Sequence, residues 1–481
     1  MKNKHLLSAS ALLLVSATLF SCGGAANDGG TQRKGTISMW VGQESVDFYK
    51  EVANEFLEKN PSFEYNISIV GADTGSAAGA LIQDNTACAD IVTIAHDNIG
   101  KLSQKSLILP IVDEGLLTQI NNDNPETFKS VIKNKYGAGA EAKEYTFAVP
   151  YISQALFLYY NKKFVTPEQA QTFEGLEEAA KAANKKAFTV TGTDSFNFSF
   201  TELAVRNKDK YTSVKIYEDF KMANCFVQGN DTIAVTRWAQ EEFNKDNGGT
   251  FPSSSGWEVD LNQKNPKIIS LIGGAWHFNA VKSALGEENM GCALIPTFTL
   301  KENHVEGLTA NELDPNVPKA GDVYRGGTFA DCKCFVINTA SKVEKTKSMT
   351  EIIKYFSSKE IQNRSLLEAG NVPAHKDALS FVEEHKSDLS DAAYQMSKSQ
   401  IEMAEYGRPQ PFRTGILNTY FYSKGCDTVL KNTIVNEKGA YNDVQKIREQ
   451  LYKIEHTWTK GGAPLDKDIP TELPAKMPDK K

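Results

Sequence analysis

Beyond residue 20 the sequence has no long apolar run, so no second membrane-spanning segment is expected after the first few residues. Charge of one sign is also missing. The 53 Lys and Arg residues and 60 Asp and Glu residues leave a net charge of −7, with both signs interspersed, which argues against a nucleic-acid footprint. Only 7 of the 481 residues are cysteine, and none falls in a repeating metal or scaffold spacing. No Gly-x-Ser-x-Gly elbow occurs, and His96, His277, His304, His375, His385 and His456 are scattered without a recognisable ligand spacing. Neither a metal nor another cofactor is expected, and no internal repeat is visible.

What is present begins with a leader. Lys2 and Lys4 precede an apolar stretch from Leu6 to Phe20 that is too short to span a bilayer and reads as a secretory signal over residues 1–21. Leu19, Phe20, Ser21 and Cys22 before a Gly-rich stretch resemble a bacterial lipobox. That resemblance implies that Cys22 becomes the acylated first residue and holds the protein on a membrane. Residues 22–34 are small or polar and read as a flexible tether, and the Pro- and Lys-rich residues 461–481 read as a disordered tail. Cys88, Cys225, Cys292, Cys332, Cys334 and Cys426 lie in apolar contexts, where an exported protein could form disulfides or bury small thiols. Cys332 and Cys334, two apart in a strand pattern, are expected to share a face.

Thr36 to Trp40 reads as a strand. Tyr49, Val52, Ala53, Phe56 and Leu57 then follow helical spacing behind a candidate cap at Ser45. Phe63, Tyr65, Ile67 and Ile69 alternate as a strand does, Ala77 to Ile82 suggests a helix, and Asp90 to Ala95 suggests a third strand. This order implies parallel pairing with helices on the sheet faces. Ligands of such sheets sit beyond the carboxyl ends of strands, which here deliver Val41 to Ser45 and His96 to Asn98. Farther on, Ala155 to Tyr160, Lys267 to Ile272, Leu294 to Phe298 and Cys332 to Ile337 read as strands. Between residues 207 and 264 the pattern is irregular, and the remainder is mainly helical, including 418–432 and 443–459.

Certain fragments, taken in order, resemble the extracellular solute-binding proteins of the maltose and maltodextrin type. They are Ala95-His96-Asp97-Asn98, Ala148-Val149-Pro150 leading into Leu158-Tyr159-Tyr160-Asn161-Lys162, Gly273-Gly274-Ala275-Trp276, Leu294-Ile295-Pro296-Thr297-Phe298, and Gly370-Asn371-Val372-Pro373-Ala374. The resemblance implies an α/β fold of two hinged lobes around a central cleft, the class II periplasmic-binding-protein architecture. One lobe would hold 35–149 and 297–357, the other 150–296 and 358–460. It further implies a monomer that takes a carbohydrate and hands it to the permease subunits of an ABC importer.

Sugars need aromatic faces for their C–H surfaces and carboxylates or amides for their hydroxyls. Positions matching the family's cleft are Glu44, Asp97, Asn98 and Gln154 as polar groups and Trp276 as the stacking platform, joined by Asp194 and Phe196. Tyr420, Phe421 and Tyr422 stand where the family often carries another aromatic wall. Ile94, Asn98 and Gln154 replace a tryptophan, an arginine and a glutamate of the maltose binders, which points away from maltose itself. Each candidate has a plainer reading: Trp40 as core, Asp97 as a helix cap, His96 as structural, Tyr420 to Tyr422 as buried helix aromatics. Two other functions stay open, the same fold holding a non-sugar solute and a surface glycosidase with Asp97 and Glu44 as its carboxylate pair.

Overall fold

The computed structural model describes residues 33–136, 142–194, 196–206, 210–211, 229–310, 317–410, 433 and 443–460. Cys22, Tyr420, Phe421, Tyr422 and the expected tail and 418–432 helix lie outside the described residues.

Two hydrophobic cores organise the molecule. The first forms around a five-stranded sheet ordered Tyr65–Ala72, Gly35–Gly42, Ile91–Ala95, Asp331–Ile337, Val149–Gln154. Gly35–Gly42 runs parallel to both Tyr65–Ala72 and Ile91–Ala95, as the strand-helix-strand order requires. Asp331–Ile337 is antiparallel to its two neighbours. The helix Val46–Lys59 buries Tyr49, Val52, Ala53 and Phe56 on the sheet. Tyr151 stacks on Phe335 with centroids 3.8 Å apart, a contact worth about 0.5–1.5 kcal/mol beyond area burial. Ser45 precedes this helix without capping it through its side chain; its hydroxyl instead accepts from Asn371 Nδ2 at 2.9 Å.

The second core surrounds a four-stranded sheet ordered Met290–Ala293, Leu156–Asn161, Ile268–Gly274, Lys186–Val190. Beside it a small antiparallel sheet joins Thr297–Thr299 to Val323–Arg325 and Val205–Arg206. The expected strand from Leu294 to Phe298 is divided here. Pro296 cannot donate to a ladder, and the chain leaves one sheet at Ala293 to enter the other at Thr297. The region expected to be irregular holds a 15-residue helix, Asn230–Asn244.

The chain passes between the cores from Ile152 to Ala155 and again from Phe329 to Cys332. The partition departs from the expected division in two places. Phe298, Leu300 and Tyr324 belong to the second core, because Phe298 stacks on Trp238 at 3.7 Å. Ile361 and Ala374 belong to the first, because the helix Lys359–Ala369 packs on Val46–Lys59, where Arg364 Nη1 reaches Glu55 Oε2 at 2.8 Å.

Candidate functional site

The two sheets meet edge to edge across one residue. Gln154 ends the last strand of the first sheet, Ala155 crosses over, and Leu156 begins a strand of the second. In the first sheet, register places Asp331 opposite Gln154 and Lys333 opposite Ala95, so the loops after Gly42, Ala95 and Gln154 leave the same edge. In the second, Gly274 lies opposite Leu156 and Val190 beside Ile272, so the segments bearing Trp276 and Asp194 leave the edge that faces it.

Glu44 is exposed on the turn after Gly42, and its carboxylate folds back over that glycine, where a Cβ would meet Oε1 at 2.4 Å. Gln154 is half-buried. Asp97 is fully buried and accepts from Asn98 Nδ2 at 2.9 Å, and Asn98 is buried as well. The capping role for Asp97 is absent: the helix Ile99–Gln104 has Asn98 at its N-cap, with no side-chain capping bond. His96 is also fully buried. Its Nε2 is 2.9 Å from the carbonyl of Gln410, Nδ1 is 3.4 Å from the Cys332 amide nitrogen, and Asp331 lies 3.8 Å away. Burial opposes its protonation, but the charge of Asp331 prevails and carries its pKa up to about 10. This histidine ties the strand end at Ala95 to the crossing at Asp331 and Cys332 and to Gln410, and is structural.

On the opposite edge, Trp276 is 41 % exposed. Its indole lies against Gly274, where an added Cβ would collide with the six-membered ring, so that glycine serves close approach of the ring. Phe196 is half-buried, with its centroid 5.9 Å from Trp276 and 6.1 Å from Phe329, against which it stacks. Asp194 accepts from Asn197 through backbone and side chain, each at 3.0 Å. A ring path thus runs from Trp276 through Phe196 to Phe329, two residues before Asp331 and the His96 contact.

Three groups here were not singled out from the sequence. Gln400 is fully buried on the helix Asp391–Tyr406; it donates to the carbonyl of Ser153 at 2.7 Å and accepts from the amide of Ala275 at 3.2 Å. It therefore clamps the residues just before Gln154 and Trp276. A glutamine inside a helix carries no signal of such a role. Lys333 has a side chain only 13 % exposed and sits 3.9 Å from Glu44. Burial lowers its pKa, while Glu44 and Asp73 oppose that fall. Glu202, on the helix Ser199–Glu202, is 4 % exposed, with neither carboxylate oxygen hydrogen-bonded among the described residues; burial and the charge of Asp194 push its pKa well above the usual carboxylate range.

Cys332 and Cys334 share a face as expected, with Sγ atoms 3.5 Å apart, and with Cys88 and Cys292 they are free thiols. Among the described residues no group of three or more His, Cys, Asp or Glu is placed to hold a metal ion, and no helix is long and apolar enough to cross a membrane.

A family model described as bacterial extracellular solute-binding protein matches residues 51–393. No curated protein matches the chain. Among solved structures, the maltodextrin-binding protein MalE1 from L. casei BL23, without ligand, is 18% identical, with 87% of this chain and 98% of that chain covered at a TM-score of 0.64. MalX from Streptococcus pneumoniae in complex with maltopentaose is 18% identical, with 87% and 99% covered at 0.61. The GacH receptor of Streptomyces glaucescens, solved unliganded and with acarbose, is 15% identical, with 89% and 98% covered at 0.61. The fold is theirs, two α/β lobes around a cleft.

Proposed function

Because the chain belongs to the bacterial extracellular solute-binding proteins, and so to an exported family, we propose that it captures a sugar or oligosaccharide between its lobes, leaves it chemically intact and delivers it to the permease of an ABC importer. The observation that carries this reading is an exposed indole, Trp276, on one strand edge, facing an edge that bears Glu44 and Gln154. An indole covers the C–H face of a pyranose while carboxylate and amide groups orient its hydroxyls. The similar structures solved with maltopentaose and acarbose favour the same class of solute. Asp97 and Asn98 form the floor behind Glu44, with Asp194 and Phe196 flanking the indole. Phe421 and Tyr422 stay with this proposal as a further wall. The lobes comprise 35–149 and 150–296 with the later segments divided between them, and the protein acts as a monomer, held to the membrane through an acylated Cys22.

A panel of maltooligosaccharides and other neutral glycans, screened by thermal shift, tests the assignment, since a ligand that binds only the folded state raises its melting temperature. The expected result is a rise with at least one glycan, which chromatography then recovers at its original length. No rise with any glycan contradicts the sugar, and shortened products contradict a receptor in favour of a glycosidase. Cys22→Ser tests the anchor: the variant should leave the membrane fraction, and retention there would refute acylation at this residue.

A further inference from the structure

Lys333 occupies the middle of the first lobe's ligand edge. Register sets it opposite Ala95 on one side, two residues before Asp97, and opposite Ile152 on the other, two residues before Gln154. The pairing slips between Lys333 and Cys334, and such bulges bend a strand and re-aim a side chain, often beside functional sites. The lysine stem is buried and 13 % of the side chain remains exposed, while Nζ stands 3.9 Å from Glu44 Oε1. At that distance the two charges attract but do not share a hydrogen bond. An ammonium has three N–H donors, and Nζ makes no hydrogen bond among the described residues. A nearly enclosed donor beside an exposed acceptor is arranged to be completed by a third party.

Resting on the sugar-receptor reading above, we propose that Lys333 is a ligand-contacting residue: with Glu44 it grips adjacent hydroxyls of one pyranose, the lysine donating and the glutamate accepting. The pair also defines the class of solute. A vicinal diol satisfies both members at once, whereas an acidic sugar would bring its charge against Glu44, Asp97 and Asp194. The solute is therefore an uncharged glycan with a free vicinal diol.

The competing role for Lys333 is to hold Glu44 in place, and the two roles separate in a pair of backgrounds. Titration calorimetry with the glycan giving the largest thermal shift would be run on wild type, Lys333→Met, Glu44→Gln and the double variant. Ligand-free melting temperatures would be read in parallel. Direct contact predicts that Lys333→Met weakens binding by at least about tenfold, and does so again when Glu44 is already glutamine. Lys333→Gln, which keeps an N–H donor one bond shorter than the lysine's, recovers part of the loss and supplies the reading should the methionine variant misfold. Affinity within about twofold of wild type, or a loss that vanishes in the Glu44→Gln background, overturns the proposal. A wild type that binds no glycan in the panel defeats the sugar reading itself, whatever the variants do.

Discussion

Two side chains carry the sharpest residue-scale expectations. Trp276 presents an indole to solvent over a glycine that leaves room for it. Replacing it with alanine removes the stacking face and should weaken glycan binding by about tenfold or more, the loss of ~1.4 kcal/mol. Unchanged affinity by calorimetry would remove this ring from the site. Glu202 tests the interior. Its raised pKa means that the folded state keeps a proton the unfolded chain releases above about pH 4.3. The unfolded state then binds fewer protons, so this group lowers stability as pH rises through that point. Glu202→Leu lifts the penalty and should melt several degrees higher than wild type at pH 7, with the gain shrinking towards pH 4, for a net effect of about 1–3 kcal/mol. Equal melting temperatures at pH 7 would mean that the carboxyl finds a partner.

At the scale of elements, Gln400 joins three pieces of the fold. Its helix binds the end of the strand Val149–Gln154 through Ser153 and the turn before the indole through Ala275. Gln400→Met keeps the bulk and deletes both bonds, leaving a buried amide and carbonyl unmet at a cost of about 1–3 kcal/mol. The variant should melt lower and also bind its glycan more weakly, because the residues bearing Gln154 and Trp276 lose a common support. A variant matching wild type in both measurements would show that the clamp is dispensable.

The elements that were legible are those whose sequence shows a period. Tyr49, Val52, Ala53 and Phe56 mark one helix face, and the short apolar runs at Ile91–Ala95 and Ile268–Gly274 are buried strands. Asn230–Asn244 was not legible, because it is enclosed on nearly every side. Asn230, Asp231, Thr232, Thr236, Gln240 and Glu242 are buried along with Ile233, Val235 and Trp238, so no polar stripe contrasts with an apolar one. The candidate site was legible in the same uneven way. Residues in loops after strands, such as Glu44, Asp97 and Trp276, could be reached from topology, whereas Lys333 and Gln400 owe their positions to register and to packing over long sequence separations.

At the scale of the whole molecule, two cores joined by crossing segments form a hinge, and a solute that touches both edges favours the closed arrangement by its differential contacts alone. The two edges differ in chemistry: the first has carboxylate, amide and ammonium groups, the second an aromatic face beside Asp194. The central claim is that a hydroxyl-rich solute draws these edges together. Small-angle X-ray scattering on the protein without and with a saturating glycan from the thermal-shift panel tests it most directly. The radius of gyration should fall when the glycan is bound; an unchanged value, with calorimetry confirming saturation of the same sample, would contradict capture by closure of the lobes.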